Sequence, residues 1–116
     1  MNTNTEDDFH GPKVTPVSIQ FSVNPVTGGN STLVTVGMSG NATEETTVVL
    51  TYSAVNSGGS VSPSSVCNVP GSIIVYNGDS SGSVTIVTYA VTDNVTVTVT
   101  ATANGTSVSA SLVITP

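Results

Sequence analysis

Charge is scarce in this chain. Only 7% of its 116 residues are Asp, Glu, Lys or Arg, and a single basic residue stands against seven acids, for a net charge of -6. A phosphate backbone would find almost nothing to pair with, which excludes nucleic-acid binding. Tryptophan is absent and there is one cysteine, Cys67, so no intrachain disulfide staples the fold. With almost no basic residues to activate it, Cys67 is expected to pack as a small buried hydrophobe. No apolar run approaches the roughly 18 residues of a membrane helix, so no membrane partner is expected. The opening "MNTNTEDDFHGPK" has no basic start, apolar stretch or small-residue cleavage site of a secretory signal, and the expectation is a soluble chain made without export.

What the chain has instead is Val and Thr, roughly a third of all positions, the β-branched residues that suit a pleated, half-buried surface. No segment sustains apolar residues at helical spacing, whereas several alternate strictly. The alternation predicts strands over 17–23, 31–39, 46–54, 72–76, 82–89, 94–103 and 106–115, with an irregular extended piece over 61–69. Turn chemistry separates them: "NPVTGGN" at 24–30, "SGNATEE" at 39–45, "NSGG" at 56–59, "NGDSSG" at 77–82 and "NG" at 104–105. Asn104-Gly105 is the strongest hairpin signal, because both residues tolerate the positive φ of a type I′ turn. In the strands it joins, Val95, Val97, Val99 and Ala101 share one face, and Val108, Ala110, Leu112 and Ile114 share one face of the partner. These are the predicted core, with Thr96, Thr98, Thr100 and Thr102 turned toward water.

About seven short strands with regularly spaced turns describe an all-β fold, an immunoglobulin-like antiparallel β-sandwich. An antibody-type domain is excluded, because the paired cysteines and the tryptophan are missing. The stretches "VNPVTGGNST" at 23–32, "VPGSIIVYNGDSSGSVTI" at 69–86, "TYAVTDNVTVTVTAT" at 88–102 and "LVITP" at 112–116 resemble the immunoglobulin-like modules of bacterial surface proteins and bacteriophage structural proteins. The resemblance spans about 17–116. It implies structural roles for Gly28 and Gly29 in a turn, Pro70 before a strand and Gly78 in the turn entering the next, and it carries no catalytic motif. "ATEET" at 42–46 departs from the Gly-rich hairpin expected there.

Candidate chemistry is thin. His10 is the single histidine and stands in the polar leader, without the oriented carboxylate that nucleophilic catalysis requires. Glu44 and Glu45 are neighbours in a turn and do not make the spaced pair a glycosidase uses. A calcium site drawing on Glu44, Glu45, Asp79 or Asp93 lacks a dense Asp/Asn loop. Sequons at Asn30, Asn41, Asn94 and Asn104 are close to what the Asn, Ser and Thr content produces by itself. The expectation is therefore no enzyme, no catalytic or metal-binding residues and no cofactor.

Residues 1–16 read as a polar N-terminal arm or leader and 17–116 as the sandwich. The arm is either a solvated leader or a docking arm in which Glu6, Asp7, Asp8, Phe9 and His10 contact a neighbouring subunit. With few charges to guard its edges, the sandwich is expected to have one edge covered by another chain. The implied function is that of a structural decoration or accessory protein on a bacteriophage virion, made in the cytoplasm and carried on the particle surface. Its partner would be the major structural protein of a virion or filament, or copies of itself. The alternative is an adhesion or spacer module of an extracellular bacterial surface protein, with a weak glycan contact.

Overall fold

The computed structural model describes residues 13–116. Ten strands occur in the order β1 (Pro16–Phe21), β2 (Val26–Thr27), β3 (Ser31–Met38), β4 (Thr46–Asn56), β5 (Gly59–Val61), β6 (Cys67–Asn68), β7 (Ser72–Val75), β8 (Ser81–Thr88), β9 (Val95–Ala103) and β10 (Thr106–Thr115). The long ones fall where the alternation places them. The extended piece expected over 61–69 is instead broken into β5, a 3-10 turn at Pro63–Ser65 and β6. Pro63, whose φ is fixed and whose nitrogen carries no proton, suits the start of that turn and cannot serve a ladder.

The strands form two sheets, ordered β1-β3-β8-β6 and β2-β10-β9-β4, with β5 and β7 both paired to β4. Every pairing is antiparallel except the short β2–β10 contact. Taking β1, β3, β4, β7, β8, β9 and β10 as the seven main strands, the first, second and fifth lie in one sheet and the third, fourth, sixth and seventh in the other, an immunoglobulin-like arrangement. The chain begins in one sheet as β1 and crosses to the other as β2, through a cis Asn24-Pro25 bond.

The core lies between the sheets. Val97, Val99, Ala101, Leu112 and Ile114 of one sheet and Val34, Val36 and Ile86 of the other are all fully buried. Each such Val, Leu or Ile side chain contributes about 1.5–3 kcal/mol relative to exposure. On β9 burial alternates without a break from Val95 to Ala103, as its sequence requires. On β10 the expected core residues Val108 and Ala110 are only half-buried. They occupy the part of the strand that β2 does not flank, since β2 pairs only with Ile114 and Thr115.

Among the described residues no strand contains a charged side chain. On the outer face of the second sheet Thr100 bonds Ser109 at 2.8 Å and Thr102 bonds Ser107 at 2.7 Å, so hydroxyls satisfy one another across strands. The edges are guarded by other means than charge. A bulge interrupts β1 between Pro16 and Ser18. Along β10, the Asn24 side chain takes the place of a strand: its amide nitrogen donates to the Ser111 carbonyl and its oxygen accepts from the Val113 amide, both at 3.0 Å.

Candidate functional site: the two poles

With neutral sheet faces, the titratable and loop chemistry collects at the two ends of the sandwich. One end, the entry pole, is where β1 begins; the other, the exit pole, is where β10 ends.

At the entry pole the chain is fastened before its first strand. Lys13 forms an ion pair with Glu44, both side chains remaining half exposed. The Asn104 amide donates to the Val14 carbonyl at 2.7 Å, and Thr15 exchanges two 3.0 and 2.8 Å bonds with Ser39. Asn104 and Gly105 have φ of 51° and 83°, the hairpin turn their residue types predict. The "ATEET" loop is an interlock and not a hairpin. Ala42 is buried, and its backbone accepts from Gly78 and donates to the Asp79 carbonyl, both at 2.7 Å. Gly78, expected in the turn, has a φ of 93° and closes it with a 2.9 Å bond from Asp79 to Tyr76.

At the exit pole two buried hydroxyls do the fastening. Thr32 donates to the Val23 carbonyl at 2.8 Å and accepts from the Val23 amide at 2.9 Å. Thr88 donates to the Asn30 carbonyl and accepts from the Gly29 amide at 3.2 Å, holding the 27–30 turn. Gly29 supplies the positive φ of 98° in that turn. Gly28 is required for its lack of bulk. A Cβ there would stand 2.5 Å from the Tyr89 carbonyl oxygen and 3.1 Å from Ala90 Cα, so the turn can lie against the 88–91 segment only without a side chain. Pro70 is half-buried between β6 and β7, and the Gly71 carbonyl after it accepts from Leu50 at 2.9 Å.

The exit pole also contains a pocket of about 250 Å³. The buried Val66 and Val95 and the half-buried Val61 and Val91 form its apolar part; Asn56, Ser65, Thr92 and Asp93 add polar groups. Asn56 is committed, accepting from the Gly58 amide at 2.8 Å, and the Ser65 hydroxyl donates to the Ser62 carbonyl at 2.6 Å. Among the described residues Asp93 has no hydrogen-bond or ion-pair partner. The pocket was not legible in the sequence, because Asn56, Val66 and Asp93 come from segments separated by ten or more residues and no spacing joins them.

Cys67 is fully buried on β6, and desolvation pushes its thiol up to about 11. The docking-arm residues Glu6, Asp7, Asp8, Phe9 and His10 lie outside the described residues. Among the described residues no three of His, Cys, Asp and Glu gather within reach of one ion, and Asp93 and the Glu44, Glu45 and Asp79 group stand at opposite poles. Asn30, Asn41, Asn94 and Asn104 are all exposed, although the Asn104 amide is spent on Val14.

No protein-family model matches the chain, and no curated protein matches it. Among solved structures, the GAE domain of GGA2p from Saccharomyces cerevisiae is similar, with 15% identity and a TM-score of 0.30 over 90% of this chain and 97% of that one. That likeness adds nothing to what the strand order already shows.

Proposed function

We propose that this protein is a non-enzymatic structural module, a decoration or accessory unit on the surface of a bacteriophage virion. The observation that carries the reading is the distribution of charge. Among the described residues no strand contains a charged side chain, and the outward strand faces are uncharged, set with Ser and Thr hydroxyls and with the exposed Val17, Leu33, Val49, Val55 and Val87, while the described ionised groups stand in the pole loops and at the start of the described chain. A body with uncharged sides and charged ends acts as a stiff spacer that makes its polar contacts at its ends. The virion assignment draws on the resemblance of the four Gly- and Val/Thr-rich stretches to phage structural modules. The N-terminal arm read over residues 1–16, through Glu6, Asp7, Asp8, Phe9 and His10, is proposed as the anchor to the particle's major structural protein.

A second reading is favoured by one specific observation. The chain enters at one pole, beside Asn104, and leaves at the other, beside Val26. Modules so built can follow one another in a row, as in an extracellular adhesin or spacer array.

Quantitative mass spectrometry of purified intact particles tests the two. Recovery in fixed proportion to the main structural protein supports the virion unit. Recovery only as peptides of a longer secreted polypeptide overturns it in favour of the array module. Recovery in neither fraction overturns both.

A further inference from the structure

We propose that the exit-pole pocket takes a lysine or arginine side chain of a partner protein. Its apolar part, from Val61, Val66, Val91 and Val95, suits the aliphatic stem of such a side chain, which packs along apolar surface while its charged head stays near water. Asp93 lies among the pocket-lining groups with no partner among the described residues. The protein has no Lys or Arg of its own to offer it. The chain has one such residue in all, and that residue, Lys13, is bonded to Glu44 at the opposite pole. The volume of about 250 Å³ accommodates one long side chain and not a folded element. A net charge of -6 adds a general attraction for a basic partner surface.

A neutral sugar fits less well. The Asn56 side-chain oxygen and the Ser65 hydroxyl proton are already bonded to backbone within their own turns, which withdraws an acceptor and a donor from reading a ring of hydroxyls. Asp93 is the single carboxylate among the residues lining the pocket, which gives too few oxygens for calcium. The inference goes beyond the assembly reading and does not depend on it, since a cationic side chain is recognised whichever protein supplies it.

An amide chemical-shift titration of the full chain tests this, with three capped tripeptides, Ac-Gly-Lys-Gly-NH2, Ac-Gly-Arg-Gly-NH2 and Ac-Gly-norleucine-Gly-NH2, at low salt. The expected result is that the Lys or Arg peptide moves the amides of residues 56, 61, 65–66 and 91–95, weakly and saturably, and that norleucine does not. Asp93→Asn, an exposed change that leaves the core untouched, should weaken that binding about three- to fivefold, and added salt should do likewise. The proposal is overturned if Asp93→Asn binds the cationic peptides as the parent does, or if norleucine binds equally. It is also overturned if neither cationic peptide moves these amides, including the case in which methyl glycosides or Ca²⁺ move them instead. Because particle proteomics and peptide titration read different properties, either proposal can fail alone.

Discussion

The two poles of the sandwich are fastened by opposite means. At the entry pole the bonds join loops to one another: an exposed ion pair between Lys13 and Glu44, a side-chain amide on the Val14 carbonyl, and backbone pairs between the buried Ala42 and the 76–80 turn. At the exit pole they are made inside, by Thr32 and Thr88, which are 3% and 1% exposed. The entry-pole ion pair engages Lys13 and Glu44, and the internal fastening at the exit pole engages no charge. What sets the exit pole apart is that one of its carboxylates, Asp93, lines a pocket, and that placement makes the pocket the candidate for contact with another molecule.

The largest test of the comparison uses one glycine from each pole. At Gly28 the constraint is space against backbone, so Gly28→Ala is expected to cost about 3 kcal/mol. At Gly78 the constraint is a φ of 93° with open space around the Cβ, so Gly78→Ala should cost about 1–2 kcal/mol. Asn, which tolerates positive φ, should recover much of the loss at Gly78 and none at Gly28. Urea unfolding of the four variants measures this. Equal costs for the two alanines would show that the 88–91 segment yields, and that the exit pole is not rigid.

Next in size is the difference between an internal and an external hydrogen bond. Thr88→Val keeps the shape and removes the hydroxyl, leaving the Gly29 amide without its partner inside the protein, while the Asn30 carbonyl keeps only the Thr88 amide at 3.2 Å, a loss of about 1–3 kcal/mol. Asn104→Gly preserves the positive φ and removes only the bond to Val14, where water can replace it, and is expected to cost about 0.5–1 kcal/mol. Thermal or denaturant unfolding decides it, and a reversed order would mean that the 27–30 turn relaxes to find other partners.

Much of the fold is legible in the sequence because its determinants are local. Alternation places β9 and β10, and Asn104-Gly105 joins them in the observed register, since turn type fixes pairing in a two-residue hairpin. β2 and β5 escape a reading of the sequence because two or three residues carry no periodicity; they exist through tertiary pairing with β10 and β4. Gly28 reads correctly as a turn residue, but the sequence supplies only half the reason, since the carbonyl that excludes its side chain belongs to Tyr89, far along the chain. The candidate site is hardly legible at all. Its valines look like any other half-buried valine in the sequence, and what distinguishes Asp93 is its place beside the pocket, which only the folded chain creates.

Cys67 gives a comparison with pH. Its folded-state pKa is raised by burial from an ordinary value of 9.0 to about 11. The unfolded chain therefore releases the thiol proton first, so this contribution to stability is intact below about pH 9 and is lost as pH rises toward about 11. The slope contributed is at most about 1.4 kcal/mol per pH unit. Unfolding measured at several pH values should show a steeper fall for the parent than for Cys67→Ala, whatever their difference at neutral pH. In the native protein at about pH 8 the thiol should resist a water-soluble disulfide reagent and react on unfolding. Rapid native labelling would mean that β6 opens readily.

The smallest expected effect separates the two poles most directly. A double-mutant cycle with Lys13→Met and Glu44→Gln should give a coupling of about 0–1 kcal/mol, because both side chains are half exposed and water competes for each. That coupling should fade as salt is raised. Asp93→Asn should leave stability unchanged at every salt concentration, since no group within the described chain depends on that charge. A coupling at Lys13 and Glu44 with none at Asp93 would mean that charge at the entry pole serves the fold and charge at the exit pole does not. If Asp93→Asn instead destabilised the protein, the carboxylate would have a partner within the chain, and its freedom to meet a cation from outside would be gone.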